Sequence, residues 1–116
     1  MSEAPLIRAT LIFLRSQGCF VDRMNSGAVR LPGRGGRERF LRFGGRPGIP
    51  DIVGVGPDGR YIGVEVKRGR APISPAQAAF HAEIRQRGGF VAVVHSPQEL
   101  AIAWRTFFGT VKGEWG

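Results

Sequence analysis

Two β-branched runs joined by a tight turn constrain the fold of this chain more than any other segment. Asp51-Ile52-Val53-Gly54-Val55 is followed by Pro57-Asp58-Gly59 and then by Arg60 to Lys67, which reads as a β-hairpin. Side chains on a strand alternate between faces with period two. In the second run Ile62, Val64 and Val66 therefore share one face, and Tyr61, Gly63, Glu65 and Lys67 share the other. The register is not set by the sequence, but antiparallel pairing across the turn can carry Asp51 toward Glu65, fourteen residues further along. Two acids and a lysine would then meet at one end of the hairpin.

Such a trio is the minimum equipment for holding a divalent metal against a phosphodiester. Mg²⁺ takes oxygen ligands, usually one or two carboxylates with water and substrate phosphate completing the shell. Asp51 and Glu65 offer the carboxylates, and the backbone carbonyl of Val66 is close enough to be a third protein ligand. Lys67 is placed to stabilise charge on the phosphoryl group or to orient the attacking water. The plainer alternative makes Glu65 and Lys67 an exposed charged face of a half-buried strand, with Asp51 serving a turn. Spacing alone leaves both open.

Charge favours a polyanionic partner. Seventeen Lys and Arg against nine Asp and Glu give a formal charge of +8, and fifteen of the basic residues are Arg, whose planar fork matches phosphate geometry. A basic surface together with an acidic pocket points to nucleic acid as the partner. The length of 116 residues suits a single domain, residues 1–116, with one core. One cysteine, Cys19, permits no intrachain disulfide and supports no cysteine-based zinc site. No apolar run reaches the roughly 18 residues of a membrane span, and no secretory signal pattern opens the chain, so no membrane partner and a reducing, cytoplasmic setting are expected.

The remaining elements follow from periodicity. Leu6, Ile7, Thr10, Leu11 and Leu14 recur at helical spacing, which predicts a helix over about residues 4 to 17 stopped by Gly18. Strands are expected over Cys19 to Met24 and Glu38 to Phe43, joined through a glycine- and arginine-rich stretch. Its glycines allow close approach to phosphates, and Arg30, Arg34, Arg37, Arg39, Arg42 and Arg46 supply charge for a nucleic-acid backbone. An ordinary hairpin loop with solvated arginines is the alternative. Lys67-Arg68-Gly69-Arg70 forms a further basic turn. Ser74-Pro75-Ala76-Gln77 reads as a capping box opening a helix to about Arg87, with Ala76, Ala79, Phe80 and Ile84 on its apolar face. Phe90 to Val94 is a buried strand, and Ser96-Pro97-Gln98-Glu99 a second capping box before a last helix. The order is α-β-β-β-β-α-β-α, an α/β fold, with Tyr61 to Val94 as a right-handed strand-helix-strand crossover.

Gly48-Ile49-Pro50-Asp51-Ile52-Val53, then Glu65-Val66-Lys67, then Ser74 and Gln77, together with Arg23-Met24-Asn25-Ser26-Gly27, resemble the VRR-NUC family, a branch of the PD-(D/E)xK nucleases. The resemblance covers nearly the whole chain, and the order of the motifs is more specific than any one of them. It implies a restriction-endonuclease-like fold, a central mixed sheet flanked by helices, and metal-dependent hydrolysis of DNA with Mg²⁺ or Mn²⁺, leaving 5′-phosphate and 3′-hydroxyl ends. The catalytic motif falls on Asp51, Glu65 and Lys67. Gln77 is implied to face the active site, although its capping role competes, and Glu3 is a candidate further metal ligand, although a carboxylate is favourable at a helix start in any case. Arg23 and Asn25 belong to the element similar to the family's Arg-x-Asn-Ser-Gly.

Small members of this kind resemble Holliday-junction resolvases, so cleavage of branched or junction DNA by a homodimer is the leading expectation. A flap or nonspecific nuclease working beside a helicase and a noncatalytic DNA-binding module are the alternatives. The same resemblance implies a bacterial, possibly phage-encoded, origin. His81 and His95 have no partner at ligand spacing; His81 is expected on the helix surface or beside the cleft, His95 at a strand end. Cys19 reads as a small buried hydrophobe, and Trp104, Phe107 and Phe108 as core.

Overall fold

A computed structural model of the chain describes residues 3–24, 27–43 and 45–113, with the backbone alone described at 27–30 and 39–43. Helix α1 (Glu3–Ser16) leads to strands β1 (Phe20–Arg23), β2 (Gly27–Pro32), β3 (Glu38–Phe43), β4 (Ile52–Val55) and β5 (Tyr61–Val66). Helix α2 (Pro75–Gln86), strand β6 (Phe90–Val94) and helix α3 (Pro97–Phe108) follow. The order contains one strand more than the sequence reading. β2 was hidden there because Gly27 and Pro32 bound a short run that carries only two β-branched or leucine residues, Val29 and Leu31. It pairs antiparallel with β3 from Gly27↔Phe43 to Pro32↔Glu38, so the basic stretch is a two-stranded ribbon with Arg34 and Arg37 exposed at its tip.

The other four strands form one mixed sheet in the order β1-β4-β5-β6. β1/β4 and β4/β5 are antiparallel, and β5/β6 are parallel across α2. The ribbon is a separate sheet, and the molecule is correspondingly long. Its radius of gyration is 16.0 Å, whereas a compact chain of this length has about 13 Å.

Ile62, Val64 and Val66 of β5 are buried in one core with Ile52, with Leu6, Ile7, Phe13 and Leu14 of α1, and with Leu100 and Trp104 of α3. Burial of each such side chain contributes roughly 1.5–3 kcal/mol. Trp104 stacks on Phe108 at 4.0 Å and meets Phe90 edge-on at 5.2 Å, so the aromatic end of α3 is largely core. Phe107 differs: it is 38 % exposed and lies under the Arg60 guanidinium. Buried Gln17 ties the end of α1 to the C-terminal segment, donating to the Lys112 carbonyl at 3.0 Å and accepting from its N–H at 2.8 Å. Cys19 is buried, and burial with the nearby Asp58 charge pushes its thiol up to about 11, away from nucleophilic use.

The opposite face of β5 receives α2. Gly63 makes this approach possible, since a Cβ there would lie 3.0 Å from Ile84 Cδ1 and 3.1 Å from Pro50 Cγ. Gly48, at φ +87°, does the same for the loop before β4, because a Cβ would lie 2.2 Å from the Ala76 carbonyl oxygen. The buried side chains of α2 are His81 and Ile84 rather than the Ala76, Ala79, Phe80 and Ile84 set expected from hydrophobicity. Its inward face is partly polar because it lies over Glu65. At α3, Ser96 accepts from Glu99 N–H, but the Glu99 carboxylate reaches past Ser96 to the His95 N–H at 2.8 Å, so only half of the second capping box forms.

Candidate active site

The β4/β5 ladder runs Ile52↔Val64 and Val53↔Gly63, so one further step sets Asp51 opposite Glu65. Asp51 lies just before β4, and its Oδ2 accepts the Val66 N–H at 2.8 Å. The carboxylate thereby takes a place that a backbone carbonyl would fill in a longer ladder. Glu65 sits on the central strand with only 2 % of its surface exposed. The two acids expected from spacing are thus neighbours, and Lys67 follows on the same side, half-buried, its own N–H held by the Val94 carbonyl at 2.9 Å.

Burial raises the Glu65 pKa to about 8; the Asp51 charge and a hydrogen bond with Asp51 push the same way, and Lys67 opposes them. The direction is toward a carboxyl that keeps its proton to higher pH than an ordinary glutamate does. His81 is also buried, 1 % exposed, and its Nε2 lies 3.2 Å from Glu65 Oε2. Burial first, then the charges of Arg85 and Lys67, lower the His81 pKa. The contact has the spacing of an ion pair, but both shifts favour the uncharged forms, so it is a neutral hydrogen bond. Among the described residues, His81 Nδ1 is buried without a partner.

His81 is the site residue that the sequence reading left aside. The signal was helical spacing: His81 is four residues after Gln77 and three before Ile84, on one face of α2. Gln77 itself is occupied at the helix start. Its Oε1 accepts from Ser74 N–H at 2.8 Å and its N–H donates to Ser74 Oγ at 3.1 Å, completing the capping box. Glu3 is exposed at the start of α1, and the structure does not bring it to the pair. Among the described residues no three His, Cys, Asp or Glu side chains group as a metal site. α1 packs on the Ile62-Val64-Val66 face of β5, whereas Glu65 faces α2.

Of the DNA-binding candidates, Arg23 is exposed at the end of β1, paired with Ile52 beside Asp51. Arg46, Arg68 and Arg70 are exposed on the loops before β4 and after β5. Arg30, Arg39 and Arg42 lie on the ribbon by register, with side chains outside the description, and Asn25 lies outside the described residues. His95 pairs with Glu99 at 2.9 Å, as a local contact at the start of α3.

The chemistry of the donors suits a hard divalent cation. Two carboxylates are pressed together at the cost of a proton on one of them, and a cation in place of that proton would satisfy both. A group whose pKa is higher in the folded than in the unfolded chain contributes stability that is fully present below the unfolded pKa and lost as pH rises through the folded one. For Glu65 the window runs from 4.5 to about 8. In chelator, the melting temperature of the wild-type chain should therefore fall across that window relative to Glu65→Gln, which stays neutral. Parallel melting profiles for the two proteins would show that Glu65 does not titrate in this window.

A mixed sheet flanked by helices, with an acid opposite an acid and a lysine two residues on, defines a nuclease-type α/β domain of the restriction-endonuclease-like kind. The chain belongs to the VRR-NUC domain family, whose family model matches residues 6–98. That span takes in Asp51, Glu65, Lys67, Gln77 and His81 and leaves out Glu3. No curated protein and no solved structure matches the chain. Membership makes it a nuclease-type DNA-processing domain. Among the described residues no helix is long and apolar enough to cross a membrane.

Proposed function

We propose that the chain is a divalent-metal-dependent deoxyribonuclease acting on branched DNA. The observation that carries this reading is the pairing of Asp51 with buried Glu65 at one end of the β4/β5 ladder, with Lys67 on the same side. Asp51, Glu65 and the Val66 carbonyl are the groups that would hold Mg²⁺ or Mn²⁺. When bound, the ion polarises the scissile phosphate and lowers the pKa of a coordinated water. The protein's own share is electrostatic and positional. Lys67 brings a positive charge to the phosphoryl oxygens. His81 holds one oxygen of Glu65 and so would orient the carboxylate toward a bound cation. The exposed arginines Arg23, Arg34, Arg37, Arg46, Arg68 and Arg70 grip the DNA backbone without reading bases.

One site per chain cuts one strand, so paired cuts in a four-way junction call for a homodimer. Cleavage of a flap beside a helicase needs one copy only. Purified protein is incubated with labelled four-way-junction, flap, single-stranded and linear duplex DNA, with Mg²⁺, with Mn²⁺ and with chelator. Paired symmetric nicks that require metal are the expected result. Cleavage confined to flaps by a monomer would replace the junction reading, and binding without cleavage under every metal condition would leave a DNA-binding module.

A further inference from the structure

Beside the carboxylate pair, α2 and the sheet leave a groove that the phosphodiester chemistry does not use. A cavity of about 290 Å³ is lined by Arg46, Tyr61, Phe80, Glu83, Ile84 and Arg87. A second, of about 330 Å³, shares Arg46, Phe80 and Glu83 and continues to Pro47, Ala76 and Ala79. Each is near the lower end of ligand-sized cavities. Together they follow α2 from Arg87 back to Ala76, about 16 Å at the helical rise per residue, long enough for a few nucleotides. The Ala76 end meets the Gly48 loop that leads into Asp51. Tyr61 lies on the same face of β5 as Glu65, about 13 Å away along the strand.

We propose that this groove holds unpaired nucleotides of the strand being cut, with a base stacked on Tyr61 or Phe80; this deepens, and rests on, the nuclease reading above. Tyr61 is 40 % exposed and Phe80 half-exposed, which is unusual for two aromatic rings already in contact. Their centroids are 6.4 Å apart at 53°. A base between them would need parallel rings about 7 Å apart, so the base stacks on an outward ring face. Charge favours a phosphate chain. Glu83, the one acid in the lining, is paired with Arg87, which leaves Arg46 as the uncompensated charge among the described residues at the rim, in a chain that is +8 overall. Aromatic platforms beside arginines are the usual means of holding single strands without reading their sequence. The substrate class is therefore branched DNA whose strand being cut opens into a few unpaired nucleotides beside the cut.

The test uses the full chain in chelator, so that nothing is cut. A short single-stranded oligonucleotide carrying fluorescent aminopurine is compared with a blunt duplex of the same sequence. Binding to the wild-type chain should quench the aminopurine. Tyr61→Leu and Phe80→Leu, which keep apolar bulk and remove the π-face, should each weaken single-strand binding by about tenfold and duplex binding by less than about twofold. Unchanged melting temperatures confirm that both variants fold. Equal losses on single strand and duplex, or quenching that persists in both variants, would overturn the proposal. So would a wild-type dimer that both substitutions dissociate, since a second copy would then fill the groove. A chain that stacks the oligonucleotide but cleaves nothing with metal would refute the nuclease reading and leave the groove standing. One that cleaves but binds single strands equally well in all three forms would do the reverse.

Discussion

Glu65→Gln should lower DNA cleavage by about a thousandfold while leaving DNA binding in chelator within twofold of wild type. The substitution keeps the shape of a side chain that is 2 % exposed and still offers an amide to His81 Nε2. What it removes is the ability to become an anion, and with it the affinity for a hard cation. Asp51→Asn is a demanding companion, because Asp51 also accepts the Val66 N–H. Asn retains a carbonyl oxygen for that bond, so the ladder end should survive while cleavage is lost. Lys67→Met keeps the half-buried stem and deletes only the charge. Cleavage rates and binding isotherms for the three variants check this; equal losses of binding and of folding in all three would give the trio a structural role.

The second large effect is expected at His81. Leucine there fills the space and removes a buried nitrogen that has no partner among the described residues, a group whose burial costs about 1–3 kcal/mol. If His81 only filled space, His81→Leu would melt at or above the wild-type temperature and cleave normally. If it orients Glu65, the gain from losing Nδ1 is offset by a buried Glu65 Oε2 left without this partner, and the variant should cleave about 10–100-fold more slowly, with a higher Mn²⁺ concentration needed for half-maximal rate. His81→Gln, whose amide can donate to Glu65 Oε2, should recover part of the loss. Calorimetric titration of Mn²⁺ into the two variants, without DNA, gives a readout separate from turnover. Wild-type affinity in His81→Leu would remove His81 from the site.

The hairpin, the alternation along β5 and the approach of Asp51 to Glu65 were legible because each depends on neighbours in sequence: a turn, a period of two, a short ladder. The parallel strand β6 was legible as an unbroken apolar run, Phe90 to Val94. What escaped has no such local signal. β2 pairs with β3, which begins six residues after it ends, yet a run bounded by Gly27 and Pro32, with only Val29 and Leu31 as β-branched or leucine residues, does not announce a strand. His81 could be assigned only once α2 was known to lie over Glu65, since hydrophobicity rotated the buried face of that helix toward Ala79 and Phe80. Glu3 is the converse case. A carboxylate at a helix start fits local electrostatics, while the face on which α1 packs is a property of the whole sheet.

The ribbon departs from the sheet after β1 and returns before β4, two strands that are themselves paired, with Arg23↔Ile52 as their last rung and the Met24 N–H on the Asp51 carbonyl at 2.7 Å closing the gap. The arm is therefore a side branch sewn shut at its base, and the sheet is continuous beneath it. Its length and charge can vary without moving either carboxylate, and if the arm holds DNA as proposed, the Met24–Asp51 hydrogen bond at its base would tie that hold to the peptide of Asp51.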